Sequence, residues 1–215
     1  MAWSKQRAQL IATLHGMSNA QLSPGASGNA SARTADGGML ISATGQIASN
    51  VRPADLVYID SAGRIPDKQA KPSSEWRMHW QIYQDHPNAG GVLHCHSRYA
   101  TVLACQRHAI PAFHYMVAIA GGDSIPCAPY ALYGSEELSK LVSQTLIGRK
   151  ACLMANHGQI AYGSTPLKAL DLAKEVEELA ANYYLSLQSG GPATLLSKQE
   201  MADVLSQYAD YGRQK

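Results

Sequence analysis

The residues best suited to chemistry are three histidines and a glutamate. His94-Cys95-His96 ends an apolar run, 91–96, that reads as a strand. Side chains alternate along a strand, so His94 and His96 share a face and Cys95 points to the other. Two imidazoles at that spacing can chelate one divalent ion, although two hydrogen-bonded strand histidines would leave the same pattern. A third imidazole, His157, lies in Asn156-His157-Gly158 between two strand-like runs, where a turn can aim it at a neighbouring strand. Glu75, at the head of a helix, is the candidate fourth group. It would ligate the ion and, once displaced by substrate, act as a base, a role for which a dry pocket should raise its pKa. His79 follows Glu75 by four residues on the same helix face and competes as a ligand, with a packing or supporting role favoured. His15, His86, His108 and His114 have no partner at ligand spacing and read as ordinary surface or hydrogen-bonded histidines.

Three small polar segments complete the set: Gly28-Asn29, Thr44-Gly45 and Ser73-Ser74. Glycine lets backbone amides approach an anion, and the two serines sit at a helix N-terminus, where free amides and the helix dipole favour phosphate. Each segment alone is equally a turn or a cap. No Walker sequence and no GxGxxG after a strand is present, so a small phosphorylated molecule fits better than a nucleotide.

The elements that must position these groups follow from periodicity. An opening helix carries Leu10, Ile11, Leu14 and Met17 on one face. Short strands at 30–33 and 39–42 flank a turn at Asp36-Gly37-Gly38, and 56–60 followed by Ser61-Ala62-Gly63 predicts another hairpin. Pro72 and the serines open a helix with Trp76, Trp80 and Tyr83 on its core side. A helix follows the 91–96 strand through Leu103, and another spans 135–146 with acids in its first turn. Strands at 151–155 and 159–162 surround the Asn156-His157-Gly158 turn. A long helix from Pro166 places Leu167, Leu170, Ala173, Leu179 and Tyr183 or Tyr184 on its apolar face. After the Gly190-Gly191-Pro192 loop, Ser197 and Glu200 form a capping box for a last helix. Interleaved strands and helices, with no repeat or linker, fit an α/β sandwich in one domain.

The composition agrees. The 215 residues are 46% hydrophobic and 16% charged, and the net charge of +2 is too small to suggest nucleic acid or a membrane surface. No apolar stretch approaches a spanning helix and the N-terminus has no signal-peptide core. Cys95, Cys105, Cys127 and Cys152 form no CxxC and read as reduced thiols of a cytoplasmic protein.

Taken together the segments GNASAR (28–33), ISATG (41–45), PSSEW (72–76), HCHS (94–97) and NHG (156–158) resemble the class II aldolase/adducin family. The longer HYMVAIAGGDSIPCAPYALYG, 114–134, resembles its fuculose-phosphate branch, and the likeness reaches Tyr211-Gly212. The resemblance implies one domain over 1–215, a central mostly antiparallel β-sheet layered by helices as a three-layer sandwich. It implies a cyclic homotetramer with active sites between subunits. It implies Zn²⁺, replaceable by Mn²⁺ or Co²⁺, on His94, His96 and His157 with Glu75 completing the site. Phosphate would rest on Gly28, Asn29, Thr44, Gly45, Ser73 and Ser74. Tyr115 would reach in from the adjacent subunit as a proton donor, and Tyr133, Tyr208 and Tyr211 would enclose the aldehyde. The implied reaction is reversible cleavage of a ketose 1-phosphate, L-fuculose 1-phosphate first, to dihydroxyacetone phosphate and L-lactaldehyde. An aldolase for another deoxy-ketose 1-phosphate and a methylthioribulose-phosphate dehydratase are the alternatives. The epimerase branch carries aspartate where this chain has Glu75, and a non-catalytic adducin-like module would have lost ligands that are all filled here. Ala43, Cys95, Tyr133 and Tyr208 stand where the branch carries proline, asparagine, phenylalanine and phenylalanine. The last two bear on the sugar rather than on the metal.

Overall fold

A computed structural model describes residues 3–191 and 193–210. Helix α1 (Ser4–Asn19) leads into the hairpin of β1 (Asn29–Arg33) and β2 (Met39–Ser42), then β3 (Leu56–Ile59) and α2 (Trp76–Asp85). Strand β4 (Gly91–Cys95) and α3 (Arg98–Cys105) follow, then a 3-10 helix at Tyr115–Ala120 and β5 (Cys127–Ala128). The chain continues with α4 (Glu136–Thr145), β6 (Ala151–Met154), β7 (Gly158–Gly163), α5 (Pro166–Gln188) and α6 (Lys198–Asp210). The strands form one seven-stranded sheet in the order β3-β2-β1-β4-β7-β6-β5. Every pair is antiparallel except β5–β6.

The pleat divides the core into two layers. Ala30, Ala32, Leu93, Cys95, Leu153 and Ala161 pack against α1, α3 and α5. Their neighbours Ile41, Val57, Val92, Cys152, Met154 and Ile160 pack against α2 and α4. Helices therefore cover both faces of a mostly antiparallel sheet, the expected α/β arrangement. Caps fix the helix starts: Ser135 accepts from Leu138 N–H, Thr165 from Lys168 N–H, and Ser197 and Glu200 form the reciprocal capping box. No helix among the described residues is long and apolar enough to cross a membrane.

Two expectations need correcting. The hairpin after β3 has its turn, with Asp60 Oδ1 accepting from Ala62 and Arg64 N–H, but no return strand. Gln69 does the work of that strand: its side-chain amide accepts from Tyr58 N–H at 2.8 Å and donates to Tyr58 C=O at 3.0 Å. Pro66 and Pro72 flank a segment poorly suited to a ladder. Leu167, assigned to the apolar face of α5, is exposed, and the buried face is Ala169, Leu170, Leu172, Ala173, Val176, Leu179 and Ala180. The first turn of α5 is packed against Gly91 and Gly163 through Pro166 and Ala169, which leaves Leu167 on the solvent side.

Candidate active site

The same pleat that sends Val92 toward α2 sends His94 there, with Cys95 on the opposite face. Burial pushes the Cys95 thiol up to about 12, so it is inert packing. Asn29 lies directly opposite His94 in the β1–β4 register. His96 follows the end of β4, and the Asn156 turn, in the left-handed region at φ 56°, brings His157 to the same spot between β6 and β7. Glu75 closes the group from the N-terminus of α2.

The distances define the chemistry. His94 Nε2 lies 3.0 Å from His96 Nε2 and 3.2 Å from Glu75 Oε2, and His157 Nε2 lies 3.2 Å from Glu75 Oε1. One ligand atom from each histidine fits within 4.8 Å of the others. His94 Nδ1 is 2.8 Å from the Gln159 carbonyl, which can only accept. The neutral ring therefore keeps its proton on Nδ1 and turns the Nε2 lone pair toward another imidazole and a carboxylate; where no metal takes that place a second proton does, because against the opposing effect of burial the Glu75 charge and hydrogen bond raise the His94 pKa. Glu75 Oε1 is buried and faces His157 Nε2 at 3.2 Å. Lone pairs crowded this way repel unless a cation lies between them. Tetrahedral nitrogen ligands at about 2.0–2.1 Å stand roughly 3.3 Å apart, close to the spacing here. The donor set thus suits a divalent metal.

Electrostatics overturn one expectation. Burial does favour neutral Glu75, but the neighbouring His94 charge and hydrogen bonds from His157 and His94 outweigh it. They hold the carboxyl far below the usual carboxylate range, not above it. A dry pocket raises a carboxyl only when it is not lined with potential cations. The His96 imidazole is pushed down to about 4 by burial and by His94 and His157, which leaves its nitrogen free to ligate.

The small polar segments meet on one rim. A bridge pairs Ala43 with Pro72, Thr44 N–H donates to Lys71 C=O, and Ser73 N–H donates to Ser42 C=O. This strap sets Thr44-Gly45 beside Ser73-Ser74. Gly28, at φ 82°, packs so closely that a Cβ would lie 2.9 Å from His94 O and 2.5 Å from Ser23 Oγ. Gly45, at φ 72°, has open space over it. Asn29 reaches the rim too, but its Nδ2 donates to Glu75 Oε2 at 3.0 Å.

A cavity of about 370 Å³ runs from Ser74 on the rim to the histidine cluster, lined by Ser74, Glu75, His96, Tyr130, Tyr133 and His157 among others. Tyr133 thus lines the same cavity as Glu75, His96 and His157. Tyr115 and Tyr208, with Met116, Val204 and Gln207, line a separate cavity of about 210 Å³ within the chain. Tyr211 lies outside the described residues. The sequence reading missed Tyr130, which sits with Tyr133 on the loop before α4 and whose signal was only proximity. It also missed the carbonyl of Gln159 that sets the His94 tautomer, for which sequence carries no signal.

The comparisons agree with the geometry. The class II aldolase and adducin N-terminal domain model matches residues 8–184. The chain belongs to the class II aldolase/adducin family. It is 46% identical over 209 residues to a 5-methylthioribulose-1-phosphate/5-deoxyribulose-1-phosphate aldolase of Rhodospirillum rubrum, covering 94% of this chain and 93% of that one. To the L-fuculose phosphate aldolase of Escherichia coli it is 43% identical, covering 99% and 98%. A solved L-fuculose 1-phosphate aldolase superposes with a TM-score of 0.91 at 35% identity, covering 97% and 98%.

Proposed function

We propose that the chain, as a single domain, is a zinc-dependent aldolase of the cytoplasm. It cleaves a 1-phosphorylated deoxyketose between C3 and C4, reversibly, to dihydroxyacetone phosphate and a small aldehyde with an apolar end. The observation that carries this reading is the convergence of three imidazoles and Glu75 beside a cavity that opens past Ser74 at the start of α2. Three nitrogens and one carboxylate favour Zn²⁺, with Mn²⁺ or Co²⁺ able to replace it.

The substrate phosphate binds the amides of Gly45 and Ser74 and the Ser73 hydroxyl at the start of α2, aided by Thr44, Asn29 and the turn at Gly28. There the helix dipole favours the anion. A divalent ion on the imidazoles supplies stabilisation of the negative charge that builds on the ketone oxygen. Tyr115 relays the C4 hydroxyl proton to solvent as the C3–C4 bond breaks, and the bond's electron pair stays with C3. Glu75, ionised until substrate enters, takes a proton from solvent and delivers it to C3, completing dihydroxyacetone phosphate. Within one chain Tyr115 is 52% exposed and lies on a different cavity from the histidines. Exposed Tyr130, Leu132 and Tyr133 extend the apolar surface around the mouth. A cyclic homotetramer in which Tyr115 serves a neighbour's histidines accounts for both.

L-Fuculose 1-phosphate would give L-lactaldehyde. A second reading is favoured by the Rhodospirillum rubrum relative: 5-deoxyribulose 1-phosphate, giving acetaldehyde, or its 5-methylthio counterpart, giving methylthioacetaldehyde. All three aldehydes end in a methyl or methylthio group, which suits the rings of Tyr130 and Tyr133 and, from the C-terminal segment, Tyr208 and Tyr211. The test is product analysis with these three ketose 1-phosphates on zinc-loaded protein. Dihydroxyacetone phosphate should form from at least one of them. Water loss without carbon–carbon cleavage would instead identify a dehydratase, and no product from any of the three would overturn the reading.

A further inference from the structure

Behind Glu75 runs a buried polar chain that the reaction as described does not use. Glu75, His79 and Tyr83 follow one another at four-residue steps along one face of α2, and Asn29 and Ser31 share the facing side of β1. The two stripes interlock. Tyr83 Oη lies 2.8 Å from Ser31 Oγ, and Ser31 Oγ lies 2.8 Å from His79 Nδ1. His79 Nε2 lies 2.6 Å from Asn29 Oδ1, and Asn29 Nδ2 donates to Glu75 Oε2 at 3.0 Å. His79 and Ser31 are fully buried.

We propose that His79 is a positioning residue, which locks the Asn29 amide so that its NH₂ faces Glu75 and the phosphate rim. The direction of every bond follows from the two ends. A carboxylate can only accept, so Asn29 must turn its NH₂ to Glu75 and its Oδ1 to His79. Oδ1 in turn accepts only, so His79 carries its proton on Nε2. Nδ1 is left to accept from Ser31 O–H, and Ser31 Oγ accepts from Tyr83 O–H. Complete burial holds the ring neutral, its pKa pushed down to about 3, so it keeps one donor and one acceptor. Without His79 the amide can turn over, setting Oδ1 against the carboxylate and the incoming phosphate. The mechanistic consequence rests on the aldolase reading; the bond directions do not.

The test compares His79→Phe, which keeps a ring without nitrogens, with His79→Gln, whose NH₂ can still donate to Asn29. Both are made in the zinc-loaded enzyme. In His79→Phe, zinc content should hold while kcat and deuterium exchange into dihydroxyacetone phosphate fall by about 10-fold or more. His79→Gln should recover to within about threefold of the natural protein. Equal loss in both variants, tracking their melting temperatures, would overturn the proposal. Should His79→Phe not fold, nitrogen NMR of the natural protein decides: a proton on Nε2 is expected, and a proton on Nδ1 refutes the chain. That spectrum stands even if no ketose 1-phosphate is cleaved, a result that would sink the aldolase reading alone.

Discussion

Glu75→Gln separates metal binding from proton transfer, and the structure sets the size of each effect. Asn29 offers an N–H to the Oε2 position at 3.0 Å, so the new amide must place its oxygen there. Its NH₂ then occupies the Oε1 position, 3.2 Å from His157 Nε2, and donates to the lone pair that a metal would use. The ion must displace that hydrogen bond, which is worth about 0.5–1.5 kcal/mol net. At about 1.4 kcal/mol per tenfold, metal affinity should weaken by roughly 2–12-fold. Loss of the base at C3 is a larger effect, roughly 10²–10⁴-fold. Chelator competition followed by elemental analysis reads the first. Proton NMR of deuterium exchange into dihydroxyacetone phosphate reads the second. Exchange at the natural rate would remove Glu75 from the mechanism. Complete loss of zinc would mean that the three imidazoles do not hold the ion without the carboxylate.

Ser73→Asp puts a negative charge at the N-terminus of α2, so KM for the phosphorylated ketose should rise by about 10-fold or more with zinc content normal; an unchanged KM would place the phosphate elsewhere. His94→Ala and Tyr115→Phe should each be nearly inactive. Refolded together as mixed oligomers they should regain a sizeable fraction of activity if sites are shared, and none at any ratio if Tyr115 acts within its own chain. The last prediction concerns acid. His79 has its pKa lowered to about 3 in the fold by burial and then by the His94 charge, against 6.5 as the ordinary value. Below about pH 6.5 the unfolded chain binds a proton that the folded chain refuses, so this group makes stability fall with pH, by about 1.4 kcal/mol per unit down to about pH 3. Denaturant titrations of the natural protein and His79→Gln side by side should show that extra slope only in the natural protein, and parallel slopes would contradict it.

The histidine cluster was legible because local periodicity constrains it. Alternation along β4 put His94 and His96 on one face and Cys95 on the other, and a turn flanked by strand-like runs aimed His157. The cap of α6 was legible for the same reason: Ser197 and Glu200 act within a single helical turn. The missed features cross between elements. Gln69 closes the edge of β3 in place of a return strand, which no pattern in 64–72 announces. Glu75 seemed a carboxyl in a dry pocket, and only the convergence of His94 and His157 on it reversed the sign of its pKa shift. His79 was read as a rival ligand or a supporting residue. The four-residue spacing from Glu75 fixed its helix face, but not that Asn29 and Ser31 would lie across from it. The sequence by itself determined which residues share a face, because strand and helix periods are set by backbone geometry. Only the tertiary structure decided which faces meet, because register and packing between distant segments depend on how the whole sheet and its two helical layers bury their apolar sides.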